Sequence, residues 1–215
     1  MEKYRGKRLH REAHPKIFVW SHTHKAEIEY FQGFKNHLRT PLLMPQKIIC
    51  WSPQKLLEQV VEWKTKTISE EDGDQVWCIF DVDDFYKNDG AALIKAVRLA
   101  SDNNVKIAYA NECFELWILL HFYKPTSPIN RGSDIEKRIQ QEFKKHSMGQ
   151  YEKNLKVFDA LMGLQNEAIK NAERIVPEYN SIDWNKNLNA GGNPSTSIHF
   201  LIKEINTLIG HSKKT

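Results

Sequence analysis

The apolar run Val76-Trp77-Cys78-Ile79-Phe80 ends abruptly in Asp81-Val82-Asp83-Asp84. The run is short, rich in β-formers and preceded by the turn-like Glu71-Asp72-Gly73-Asp74. That pattern predicts a buried strand. The acids then stand at the strand's carboxyl end, where open α/β sheets bind their ligands. Asp81 and Asp83 are two apart, so on an extended backbone they share a direction. Carboxylates so placed repel one another unless a proton or a cation separates them. A hard divalent ion, Mg²⁺ or Mn²⁺, is the expected partner, held with water and a substrate phosphate. The bland alternative is that the acids solvate a loop or cap the next helix.

The segments around this strand alternate in period. Lys16 to Ser21 reads as a first strand, Ala26 to Leu38 as a helix, and Lys47 to Trp51 as a second strand, with Pro41 and Pro45 bracketing the connection. Ser52-Pro53 starts a helix, Ser as the cap and Pro in the first turn. After the acid-bearing strand, Asp89 to Ala100 reads as a helix and Val105 to Ala110 as a fourth strand. Such alternation predicts an α/β fold: an open parallel sheet flanked by helices. Glu112 to Phe122 reads as a very apolar helix carrying one conspicuous acid, Glu115. A carboxylate there needs a basic or hydrogen-bonding partner.

The character changes after Pro125. Asp134 to His146 and Lys153 to Arg174 are charged segments of helical period, and Asn193-Pro194-Ser195-Thr196 opens a last amphipathic helix. The expected organisation is a core at 1–125 with a mainly helical extension at 126–215 packed on it.

Bulk properties bound the rest. The 215 residues include 40% hydrophobic ones, and the net charge of +4 permits nucleic-acid binding without requiring it. No apolar run approaches the ~20 residues of a membrane span. Met1 to Pro15 is basic and polar, not a secretory segment. Cys50, Cys78 and Cys113 are far apart in apolar stretches and read as buried thiols of a reduced, cytoplasmic chain. Lys3 to Arg11 reads as a solvated tail, with phosphate contact as the alternative. Lys137, Arg138, Lys144 and Lys145 read as a solvated face, with a nucleic-acid groove as the sharper alternative. His121, on the apolar helix, reads as a core histidine. His22 and His24, followed by Glu27, form a weak transition-metal pattern, or simply bond within a loop.

Three segments together resemble the RloB family of the Toprim superfamily. Phe80-Asp81-Val82-Asp83-Asp84 resembles the Toprim Asp-x-Asp motif. Asn111 to Phe122 (NECFELWILLHF) resembles the family's long signature, with Glu112 where proline is usual. Asn193-Pro194-Ser195-Thr196 resembles the start of its terminal helix. The resemblance covers nearly the whole chain. It implies a Toprim-like fold in which acids hold Mg²⁺ for phosphoryl transfer, and a context of phage defence beside restriction or ATPase genes.

One departure falls on the site. After the first strand the family reads Glu-Gly, followed by a second acid and Tyr-Phe. This chain has His22-Thr23, then Glu27 and Tyr30-Phe31. The expected first acid is therefore His22. Three readings follow. The imidazole is a metal ligand favouring Mn²⁺ or Zn²⁺, or a general base, or the site is impaired and the protein only binds. The expected enzyme is a metal-dependent nuclease on DNA or RNA. His22, Glu27, Asp81 and Asp83 are its catalytic set, with Asp81, Asp83 and His22 on the metal and Glu115, Asn111 and Lys25 behind them. The alternative is a Toprim-like module that binds nucleic acid or an ATPase partner. Assembly as a homo-oligomer is compatible with either reading.

Overall fold

The computed structural model describes residues 15–22, 25–50, 52–68, 72–129, 132–152, 157–175 and 192–212, apart from the side chains of residues 22, 25, 83–88 and 211–212. The basic segment from Lys3 to Arg11 lies outside the described residues. In chain order come β1 Ile17–His22, α1 Lys25–Leu38, β2 Leu43–Ile48, α2 Pro53–Thr67, β3 Gln75–Asp81, α3 Asp83–Asp102, β4 Lys106–Asn111 and α4 Glu115–Leu120. Then follow α5 Gly132–Lys145, α6 Val157–Leu161, a 3-10 turn, α7 Gln165–Glu173, β5 Ser195–Thr196 and α8 Ile198–Ser212.

The strands form one sheet in the order β2-β1-β3-β4-β5. The first four are mutually parallel and β5 is antiparallel to β4. The expected open α/β sheet is therefore present, with helices on both faces. Tyr30, Phe31 and Phe34 of α1 pack with Val19, Trp77 and Ile79 on one face. Leu56, Leu57 and Val60 of α2 join Leu93 and Ala96 of α3, with Cys78 and Phe80, on the other. Both faces of β3 are buried, which is why its sequence shows no polar alternation. The first cluster continues without a break into α5, α7 and α8 through Ile135, Ile139, Ala168, Leu201 and Ile205.

The strand order fixes where a site belongs. From β1 the chain leaves through α1 to β2 on one side, and from β3 through α3 to β4 on the other. The connections diverge between the carboxyl ends of β1 and β3, the usual crevice for ligands in such sheets.

Several elements differ from expectation for identifiable reasons. β2 starts at Leu43 and contains Pro45, opposite Val19. A proline cannot donate to a ladder, but β2 is an edge strand, where proline is tolerated. α3 starts at Asp83, not Asp89. Asp89 interrupts it with φ −153° and ψ 68°. Its side chain then accepts from Ala92 N at 3.0 Å, so a cap signal sits inside a continuous element. α4 is confined to six residues, all buried. Asn111-Glu112 is a cis peptide, and Cys113 and Phe114 lead into the helix through their carbonyls. The expected helix over 153–174 is broken by the 3-10 turn Met162–Leu164. The helix start at Ser52 matches expectation: its hydroxyl accepts from Lys55 N at 3.3 Å.

Candidate functional site

The site residues gather at the carboxyl end of the sheet. β1 ends at His22, β3 at Asp81 and β4 at Asn111. Ser21 is in register with Ile79, and Asp81 with Ala110. β3 therefore projects past the last registered pair with β1, and Asp81 stands at the crevice. Trp77 and Ile79 point towards α1, so the pleat sends Asp81 to that same face. The extended backbone stops there. Val82 has φ −79° and ψ −41°, and Asp83 already opens α3. Asp81 and Asp83 are thus presented by a strand-to-helix turn instead of one straight strand. The side chains of His22, Lys25 and Asp83 lie outside the described residues, as does all of His24.

Among the described residues three carboxylates are buried: Glu27 at 0%, Asp81 at 5% and Glu115 at 5% exposure. An isolated charge at such depth is costly, so each must be held by a partner. Glu27, Asp81, Asn111 and Glu115 do each have at least one interacting partner. Glu27 also lies in the first turn of α1, where the helix dipole favours an anion. Glu115 holds the first position of α4, facing the interior as expected.

Two residues join this group that were not among the expected site residues. Burial pushes the Cys113 thiol up, and the negative charges of Glu115 and then Asp81 push it further. One thiol thus senses a carboxylate from β3 and one from α4. Tyr151 is buried and its phenol is likewise pushed up, first by burial, then by Glu115, Glu136 and Cys113. It reaches the group from beyond α5, and its backbone N donates to Gln140 Oε1 at 2.9 Å. The one hint in the sequence was the position of Cys113, two residues before Glu115.

The remaining candidates have evident structural partners. Asn111 Nδ2 donates to Gly192 O at 3.4 Å. Asn193 Nδ2 donates to Ile129 O at 2.7 Å, and its Oδ1 accepts from Ile129 N at 3.1 Å. His121 Nδ1 lies 2.9 Å from Trp117 O and Nε2 lies 3.4 Å from Tyr30 Oη. Burial holds this imidazole down at about 4. It is the neutral core histidine that its apolar neighbours suggested.

On the other side of the sheet a cavity of about 160 Å³ lies between the start of α2 and the Asp89 to Leu93 stretch of α3, which otherwise pack together. Ser52, Pro53, Gln54, Asp89, Ala92 and Leu93 line it. Among the described residues no three His, Cys, Asp or Glu side chains are grouped to hold a metal ion. Nor, among them, is any helix long and apolar enough to cross a membrane.

The family model of RloB-like proteins matches residues 17–205, from β1 into α8. The chain belongs to the RloB-like protein family. The match includes all three motifs and every candidate site residue. No curated protein and no solved structure matches the chain.

Proposed function

We propose that this RloB-like chain is a divalent-metal-dependent nuclease that hydrolyses phosphodiesters of DNA or RNA in phage defence. The observation that carries the reading is the burial of Asp81 at the end of β3 and of Glu27 in the first turn of α1, which follows β1, with Glu115 buried one short loop beyond β4. The donor set suits a hard cation: carboxylate oxygens, already desolvated, at a strand end. Asp81 and Asp83 are the residues to hold Mg²⁺ or Mn²⁺, with His22 beside them. When bound, the ion supplies Lewis-acid stabilisation of the phosphate and a more acidic water. His22 either completes the ligand set or, unligated, takes the proton from the attacking water, a role an imidazole fills near neutral pH. Glu27 supports it from the first turn of α1. Lys25 balances the buried acids, and Glu115 and Asn111 orient the strand ends.

The histidine at position 22, where the family carries an acid, favours one second reading. It is a catalytically impaired module that binds nucleic acid or an ATPase partner on the same scaffold.

A cleavage assay on single-stranded and duplex DNA, RNA and transfer RNA, with Mg²⁺ or Mn²⁺, decides between them. The nuclease reading expects cleavage by the wild type and none by the Asp81→Ala, Asp83→Ala double variant. An inert wild type that gains cleavage on His22→Glu supports the binding module instead.

A further inference from the structure

We propose that the cavity between α2 and α3 is a slot for one nucleobase of a single-stranded nucleic acid, selecting bases with an exocyclic amine. The inference rests on the nucleic-acid reading above and gives that substrate its specificity pocket. α2 follows the edge strand β2 and α3 follows β3, and Ser52 to Gln54 start α2 at the carboxyl end of the parallel strands, so the cavity lies towards the same end of the sheet as Asp81. It lies on the α2 and α3 side, whereas Asp81 faces α1. A strand crossing the tips of β1 and β3 reaches both.

The cavity's size and lining narrow the occupant. Drug-sized ligands need ~300–1,000 Å³. This space of about 160 Å³ suits one flat ring system, not a whole nucleotide. Pro53 and Leu93 are buried and Ala92 half-buried, which makes an apolar floor. The mouth is polar and mostly accepting. Asp89 is exposed there, one carboxylate oxygen fixed by Ala92 N at 3.0 Å. Gln54 Nε2 is used by Glu58 at 2.8 Å, which leaves its carbonyl oxygen as an acceptor. Ser52 Oγ already accepts from Lys55 N, which leaves its proton to donate. A phosphate at this mouth meets the like charge of Asp89. An amino group on cytosine or adenine meets an acceptor, as acids do when they accept from cytosine N4. Uracil has no exocyclic amine, and its one base-edge donor, N3–H, is set back in the ring between two carbonyl oxygens that face the same acceptors.

The test is fluorescence anisotropy of labelled oligo-C, oligo-A and oligo-U of about eight nucleotides, within the range of small single-strand sites. The full chain is used with EDTA, so that cleavage does not intrude. The comparison is among wild type, Ala92→Leu, which fills the slot with a helix-favouring residue, and Asp89→Asn, which keeps the cap and removes the charge. Matching thermal melts confirm that the variants are folded. We expect oligo-C and oligo-A to bind at least about tenfold tighter than oligo-U. Ala92→Leu should lose that tight binding and Asp89→Asn should narrow the preference. Equal affinity of wild type and Ala92→Leu, or no base preference in the wild type, overturns the slot. If Ala92→Leu also cleaves with wild-type KM, the slot fails while the nuclease reading stands. If the wild type neither binds nor cleaves any oligomer, both fall. Slot-dependent binding without cleavage upholds the slot on a binding module.

Discussion

Thr196 Oγ1 donates a hydrogen bond to the main-chain oxygen of Tyr109 at 2.7 Å, across 87 residues of sequence. The same oxygen atom of Thr196 accepts from Ile198 N at 3.2 Å, at the start of α8. Next to it, Ser197 Oγ accepts from Tyr109 N at 3.0 Å and lies 3.3 Å from Ile107 O. Two hydroxyls thus do the pairing that two-residue β5 is too short to complete along β4. The strand they steady is the one that ends at Asn111.

Thr196→Val keeps the shape and removes both bonds. The buried Tyr109 carbonyl still receives Ser197 N at 3.0 Å, so it is not orphaned. The expected loss is therefore about 1–2 kcal/mol, nearer the net value of a hydrogen bond than the full desolvation penalty. Ser197→Ala should cost a similar amount, since it leaves Tyr109 N without an acceptor just as Thr196→Val leaves Ile198 N. Urea unfolding of the two variants checks this; a loss well under ~1 kcal/mol for either contradicts the role of its hydroxyl.

The pairing of β5 also shows where sequence reasoning stopped. Asn193-Pro194-Ser195-Thr196 carries cap residues, and a cap explanation is sufficient locally. Nothing in two residues signals that Thr196 pairs antiparallel with Ala110 and Ser195 with Asn111. β2 was misplaced because Pro45 reads as a breaker until its strand is known to be an edge. By contrast, β1, β3 and β4 were legible, because strands buried on both faces are continuous apolar runs. Asp81 was legible at the site because it terminates such a run. Cys113 and Tyr151 were not, since only the fold brings a loop after β4 and a segment beyond α5 beside Glu115.

His121 makes stability depend on pH. Burial lowers its imidazole from the ordinary 6.5 to about 4, although the carbonyls of Trp117 and Ile118 act the other way. The unfolded chain takes up that proton below about 6.5, and the folded chain only below about 4. Between those values the unfolded state binds more protons, so stability falls as pH falls. The full effect is ~3 kcal/mol, complete once the pH is below about 4. His121→Asn can still donate to Trp117 O but does not titrate. Its deficit against the wild type, measured by urea unfolding at pH 7.5 and pH 4.5, should shrink at the lower pH. A constant deficit means that the imidazole is not held neutral by burial.

Gly33 lies where α1 packs against Phe158 of α6. A Cβ built at Gly33 lies 2.8 Å from Phe158 Cβ. Alanine gains about 1 kcal/mol of helix propensity over glycine. Against this, Cβ of Phe158 cannot swing away, so the helices must separate and strain Phe34, stacked on Phe158 at 4.9 Å. Overpacking costs about 1–3 kcal/mol, so Gly33→Ala should destabilise on balance. Phe158→Ala should not rescue it, because the clashing atom remains. A rise in thermal midpoint for Gly33→Ala refutes the packing argument.

The last prediction concerns His22, whose strand end stands beside that of Asp81. An imidazole is a neutral nitrogen donor and suits Mn²⁺ better than Mg²⁺, which prefers carboxylate and water. The wild type should therefore bind Mn²⁺ more tightly than Mg²⁺. His22→Glu restores a hard anionic ligand and should tighten Mg²⁺ by about tenfold or more, equivalent to ~1.4 kcal/mol. The gain should be smaller for Mn²⁺. Glutamate also adds a third acid to Asp81 and Glu27, so without metal the variant should be less stable through like-charge repulsion. Titration calorimetry with each ion, and thermal melts with and without it, measure both effects. If His22→Glu leaves the Mg²⁺ affinity unchanged and melts like the wild type, residue 22 does not share a metal site with Asp81. The general-base and binding-module readings then remain for it.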